Sequence, residues 1–113
     1  MENIQLTPVE GGICAAKGFS AAGVHCGIGA ACYTTNKVYG APITVDREHL
    51  ADGYAQAIVV NSGNANTCAP GGVQLARDVC ALTARALGVA EADVLPASTG
   101  VIGQAMSIEP FQA

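Results

Sequence analysis

Apolar residues recur at three- and four-residue spacing over residues 73–87, a pattern that predicts one amphipathic helix. The apolar positions are Val73, Ala76, Val79, Cys80, Thr83, Ala86 and Leu87. Polar side chains lie largely on the other side of this helix. Gly88 can end it in the left-handed conformation that glycine tolerates. We therefore predict a helix from about Val73 to Leu87.

Short apolar runs on both sides of this helix predict strands. Residues 57–60 precede it and Val94-Leu95 follow it, so residues 57–97 predict a βαβ-like unit. Upstream, we expect further short strands at 13–16, 24–28, 32–35 and 42–45. Asp46 is expected to cap a short helix over residues 47–50 that Gly53 ends, and Ser107 to begin another helix. The predicted fold class is α/β, a strand-rich sheet with packed helices.

Composition limits the class of protein. Residues 1–113 are enough for one domain, and half of them are hydrophobic. Many of these are alanine, so the core consists of small contacts and we expect a marginal domain that packs on something else. The net charge of −4 and the scattered basic residues argue against a nucleic-acid partner. We also expect no signal peptide, no membrane span and a cytoplasmic location, because no long apolar run occurs.

The five cysteines are an odd number in apolar surroundings, which favours reduced thiols that act as small core residues. His25 and Cys26, with Cys32 beyond, are a candidate metal or thiol site. We favour a packed histidine and core cysteines, because zinc needs four ligands at tighter spacing. The expectation is no metal and no bound cofactor, and a solvated His49.

Two polar segments directly follow the predicted strands that flank the helix. They are Asn61–Asn66 and Ser98–Gly103. Small hydroxyl and amide side chains supply hydrogen-bond donors there, and glycine lets the backbone approach a ligand closely. The Thr99 hydroxyl and the Gly100 N–H can together donate to a developing oxyanion. The alternative is a Ser/Thr turn with glycine at positive φ.

The longer strings that contain these segments resemble one enzyme family. Residues 96–103 and 59–66 are similar to runs of the ornithine acetyltransferases, also called glutamate N-acetyltransferases. Further matches follow the family's order and cover nearly the whole chain: residues 16–19, 23–28, 33–36 and 41–50. The resemblance implies a single partial domain over residues 1–113, the N-terminal (α-chain) part of a DmpA/ArgJ-like fold.

The resemblance also implies an activity. Members of this family transfer acetyl from N-acetylornithine to glutamate in arginine biosynthesis through a covalent intermediate, and some also use acetyl-CoA as a co-substrate. Their precursor cleaves itself before a threonine, which becomes the nucleophile with its own amine as base. Thr99 and Gly100 match the family's oxyanion hole. A complementary C-terminal (β) segment is the expected partner, in a hetero-oligomer if the chain is functional.

Two features depart from the family's pattern. No threonine in the 113 residues follows an alanine, so the Ala-Thr cleavage pair is absent. The stretch from Gly29 to Tyr33 is shorter than the family's, which removes a strand and is expected to shift the pairing of its neighbours. Two interpretations therefore stay open: part of an acetyltransferase that needs a second segment, or a truncated fragment without activity of its own.

Overall fold

Two parallel strands joined by a helix form the centre of the structure, a computed structural model that describes residues 27–111. In chain order the elements are α1 (Ala41–His49), β1 (Ala57–Asn64), α2 (Gly72–Leu87) and β2 (Val94–Val101). Short 3-10 turns lie at Leu50–Asp52, Glu91–Asp93 and Glu109–Phe111. β1 pairs with β2 from Ala57 opposite Val94 to Asn64 opposite Val101. This confirms the predicted βαβ unit.

Helix α2 contacts the sheet through small side chains. Ala76, Val79 and Cys80 are buried on one face, as the apolar spacing predicted. In the last turn the buried residue is Ala84, while Leu87 is 60% exposed. The helix ends at Gly88, which has φ 71° and donates its N–H to the Ala84 carbonyl at 2.8 Å.

Both helices lie on the same face of the two-stranded sheet, which we call the inner face. Val45 of α1 and Val94 of β2 are fully buried there, in a cluster with Ala76, Cys80 and Ala84. The opposite face, which we call the open face, carries Ile58 and Val60, each 68% exposed. The alternation of side chains along a strand produces this difference between the two faces.

The predicted strand over residues 42–45 is wrong, because this stretch forms the start of α1. Proline in the first turn favours helix, since its fixed φ suits that position and its missing N–H is not needed there. Pro42 and Val45, three residues apart, are the buried residues of α1. Asp46 consequently lies inside the helix, and Gly40 occupies the N-cap position. Gly53, which was predicted to end a helix over residues 47–50, instead ends the 3-10 turn that follows α1, with φ 75°.

Other predicted strands differ in outcome. Residues 32–35 form no strand. The predicted strand at 13–16, and residues 24–26 of the next one, lie outside the described residues. Ile28 makes one antiparallel bridge with Tyr54.

Residues 27–111 contain no helix long and apolar enough to cross a membrane. The α/β class, with a parallel sheet and packed helices, is confirmed.

Candidate active site

The two polar segments lie side by side in the C-terminal halves of β1 and β2. Asn61 pairs with Ser98, and Ser62 pairs with Thr99. We predicted loops after the strands, but both strands continue through these residues, because the two segments pair with each other in the parallel ladder. The structure therefore brings the two segments together, and it places most of their polar residues on the sheet rather than beyond it.

Two glycines face each other across the strand pair. Gly63 lies opposite Gly100 in the register, with φ 118° and φ 130° respectively. A Cβ added to Gly100 would collide with the Gly63 carbonyl group and lie 2.7 Å from the Asn64 nitrogen. Both the backbone conformation and the lack of space therefore require glycine at position 100.

Hydrogen bonds hold the end of β2 and the residues after it against the end of β1 and the residues after it. These bonds are Ala65 N–H to the Val101 carbonyl (2.9 Å), Asn64 Nδ2 to the Gln104 carbonyl (3.0 Å), and Gly103 N–H to the Thr67 carbonyl (2.8 Å). Together with the strand pairing, they fix the backbone of the Ser-Thr-Gly run on both sides. Such fixed donors cost no reorganisation when charge develops on a substrate.

The two hydroxyls of the run have different surroundings. Ser98 is half-buried, and its hydroxyl donates to Oδ1 of Asn61. Thr99 is exposed, and the alternation along β2 places it on the open face. Of these two residues, Thr99 is therefore the one whose side chain is accessible to a ligand.

The asparagine side chains serve the fold more than a ligand. Asn61 Nδ2 donates to the Asn64 carbonyl at 3.0 Å. Asn66 is 1% exposed, has φ 48°, and donates from Nδ2 to the Gly72 carbonyl at 2.8 Å. Sequence reasoning missed this internal role. The signal available was the asparagine six residues before Gly72, the first residue of α2.

The burial of the histidine and cysteine side chains agrees only in part with the sequence-based expectations. His49 is half-buried, with Nδ1 2.7 Å from the Val94 carbonyl, so the prediction of a solvated side chain is wrong. Cys80 is a buried core thiol, and burial raises its pKa to about 12. Cys32 and Cys68 are exposed, so the expectation of core thiols fails for both. His25 and Cys26 lie outside the described residues, and residues 27–111 contain no cluster of three metal-ligating side chains.

Asp46 is a titratable group that the sequence analysis assigned only to a helix cap. Its Oδ1 atom is buried and has no hydrogen-bond partner among the described residues. Burial raises the pKa of the Asp46 carboxyl to about 6, and nearby His49 opposes that rise. The sequence around residue 46 did not indicate that this carboxyl is partly buried, because the burial results from the packing of α1 on β2.

These features define an α/β protein in which two paired strands carry a candidate oxyanion-binding run. The chain belongs to the ArgJ family, whose family model matches residues 19–113.

Curated relatives carry the names of arginine-biosynthesis enzymes. The chain is 48% identical over 81 residues to the arginine biosynthesis bifunctional protein ArgJ of Geobacter sulfurreducens, covering 71% of this chain and 21% of that protein. It is 38% identical over 126 residues to the glutamate N-acetyltransferase of Methanothermobacter thermautotrophicus, covering 99% of this chain and 31% of that protein. The chain thus spans less than a third of these relatives' length.

The second alignment also bears on the predicted shortening of the chain. It extends over 126 positions, whereas the chain has 113 residues, so the Methanothermobacter protein has residues without a counterpart here. This agrees with a shortened chain. The position of the shortening, at residues 29–33, stays a prediction.

Two solved structures share the fold. The ArgJ protein of Bacillus halodurans matches with a TM-score of 0.71 and 37% identity, covering 76% of this chain and 47% of that one. The ornithine acetyltransferase of Mycobacterium tuberculosis, solved in complex with ornithine, matches with a TM-score of 0.72 and 28% identity, covering 76% of this chain and 48% of that one.

Proposed function

We propose that this chain is the N-terminal portion of a glutamate N-acetyltransferase that transfers acetyl from N-acetylornithine to glutamate in arginine biosynthesis. Membership of the ArgJ family and the names of the relatives support the pathway. In this proposal the chain contributes Thr99 and Gly100 as the oxyanion hole. The nucleophilic threonine comes from a complementary segment, since no Ala-Thr pair occurs in the 113 residues.

One observation carries the proposal, namely the paired glycines beside an exposed threonine. Gly100 lies against the Gly63 backbone and has no room for a Cβ, while the preceding Thr99 is exposed on the open face. The Thr99 side chain is therefore accessible to a substrate carbonyl, and the close contact with Gly63 fixes the Gly100 backbone beside it. An exposed hydroxyl beside a fixed backbone supports an oxyanion-binding role, and the Ser-Thr-Gly run lies in β2 rather than in a Ser/Thr turn.

The chemistry assigned to the two residues is stabilisation of charge. When the nucleophile attacks the acetyl carbonyl, negative charge develops on the carbonyl oxygen. The Thr99 hydroxyl and the Gly100 N–H donate to that oxygen more strongly in the transition state than in the ground state. One such donor lowers the barrier by about 2.7–4 kcal/mol, which is about a hundredfold to a thousandfold in rate.

The test uses a restored enzyme, in which residues 1–113 replace the matching part of the Methanothermobacter thermautotrophicus relative, whose alignment covers 99% of this chain. Thr99→Ala should lower kcat at least about a hundredfold with a smaller change in KM, because the hydroxyl acts mainly in the transition state. Thr99→Ser should retain much of the rate. Thr35→Ala, at another exposed threonine, is the matched control and should leave kcat unchanged. Equal kcat for the parent and Thr99→Ala would remove Thr99 from the mechanism.

The second candidate is a truncated fragment without activity of its own, with which the absent Ala-Thr pair is equally consistent. Both candidates predict that the isolated chain does not transfer acetyl from N-acetylornithine or acetyl-CoA to glutamate. They differ for the restored enzyme. An inactive but folded restored enzyme, with the relative's own nucleophile in place, would favour the fragment.

A further inference from the structure

A small cavity lies between α1 and β2. Its volume is about 230 Å³, below the range of about 300–1,000 Å³ typical of sites for drug-sized ligands. Apolar walls come from Pro42 and Ile43 of α1 and from Pro96 and Ala97 of β2. Asp46 is the one charged residue that lines it. The cavity therefore combines room for a short aliphatic chain with one carboxylate.

The Asp46 carboxylate lacks the partners that a partly buried acid ordinarily has. Its Oδ1 atom is buried and accepts no hydrogen bond from the described residues. Within residues 27–111 the one salt bridge joins Arg77 to Glu48, and Asp46 takes no part in it. A carboxylate that has lost water without gaining a donor interacts strongly with a cation that reaches it.

We propose that this cavity binds the ammonium end of a short alkyl amine, with Asp46 as the counter-ion and the apolar walls around the methylene groups. The carboxylate supplies charge and hydrogen-bond acceptors, and an ammonium group has donors only. Ser98 lines the cavity but Thr99 and Gly100 do not, so the cavity adjoins the candidate oxyanion hole without including its two residues. The proposal rests on the cavity alone and holds whether or not the chain takes part in acetyl transfer.

Three titratable side chains interact electrostatically with Asp46. They are His49 on α1, Tyr33 in the segment before α1, and Cys80 on α2. Burial, and then the Asp46 charge, raise the pKa of Tyr33, while burial dominates the raised pKa of Cys80. Both are neutral near neutral pH. His49 is the one group of the three whose charge favours the ionised form of Asp46, as a bound ammonium would.

The first test measures binding of n-butylammonium chloride to the 113-residue chain by NMR, at about pH 7. Backbone amide signals of Ile43, Ala97 and Ser98 should shift in a saturable manner. Butan-1-ol, which has the same chain length and no charge, should produce no saturable shift. Asp46→Asn should weaken binding at least about tenfold. Asp78→Asn removes one negative charge from the exposed side of α2 and should leave the affinity unchanged.

The second measurement needs no variant and so does not depend on how Asp46→Asn folds. The pKa of the Asp46 carboxyl is followed by ¹³C NMR with and without saturating n-butylammonium. A cation beside the carboxylate favours its ionised form, so the pKa should fall from about 6. An unchanged pKa, equal affinity of Asp46→Asn and the parent chain, or equal shifts with butan-1-ol would each overturn the proposal.

Discussion

Replacing Asp46 by asparagine should stabilise the chain at neutral pH and leave it unchanged in acid. Burial raises the pKa of this carboxyl from 3.8 to about 6, because the ionised form loses water. A shift of that size corresponds to about 3 kcal/mol at full value. The side chain is only partly buried, and screening by solvent reduces the expected effect to about 1 kcal/mol.

The sign follows from proton binding. Below about pH 4, Asp46 is protonated in both the folded and the unfolded chain and costs nothing. Between about pH 4 and pH 6 the folded chain holds the proton more tightly, so its stability falls as the pH rises. Above about pH 6 the full cost of the buried charge is present. Asparagine has no such charge, so the difference between the two chains should appear over this interval and then stay constant.

Urea denaturation at intervals of pH measures this difference. The free energy of unfolding of Asp46→Asn minus that of the parent chain should be near zero at about pH 4 and about 1 kcal/mol at about pH 7. Asp78→Asn is the matched control. Asp78 is exposed and accepts a hydrogen bond from Gln74 Nε2 at 2.9 Å, so its replacement should give no such stabilisation. A difference that is constant with pH, or that favours the parent chain at about pH 7, would refute the reasoning.

Two further predictions concern the backbone at the candidate site and the thiols. Gly100→Ala should lower the free energy of unfolding by clearly more than Gly103→Ala. Both glycines have positive φ, but only a Cβ at position 100 meets the neighbouring strand. Thermal denaturation measures both losses, and equal losses of about 1–2 kcal/mol would mean that backbone strain alone is responsible. In native protein treated with iodoacetamide at about pH 8, Cys68 should be alkylated at least tenfold faster than buried Cys80, whose pKa burial raises to about 12. Peptide mass spectrometry measures the rates, with urea-denatured protein as the control that equalises them.

Local patterns were sufficient to predict the βαβ unit. Helix α2 has a regular apolar face and glycines at both ends, so its predicted bounds, Val73 to Leu87, differ from the observed ones by one residue. The strands on either side also begin where their apolar runs begin, at Ala57 and Val94. Here propensity, hydrophobic spacing and turn residues all favour the same structure.

Prediction failed where packing rather than local pattern decides the structure. In residues 42–45 the β-branched residues favoured a strand, yet Pro42 at the start and the burial of Val45 favour α1. The polar segments after β1 and β2 were assigned to loops because they contain Asn, Ser and Gly. Pairing with each other keeps both in the sheet, which no single segment could reveal.

The open face carries both Thr99 of the candidate site and apolar side chains that the proposed partner segment could cover. Ile58 and Val60 are largely exposed there, Val101 is 54% exposed, and Thr99 lies on the same face. An oxyanion donor is most effective where water is excluded, because the surrounding dielectric is then low. The exposed Thr99 does not meet that condition by itself. If the proposed complementary segment covers the open face, the same contact would bury the apolar side chains, exclude water from Thr99 and bring the nucleophile to the substrate. Stability and activity of the proposed enzyme would then depend on one and the same contact.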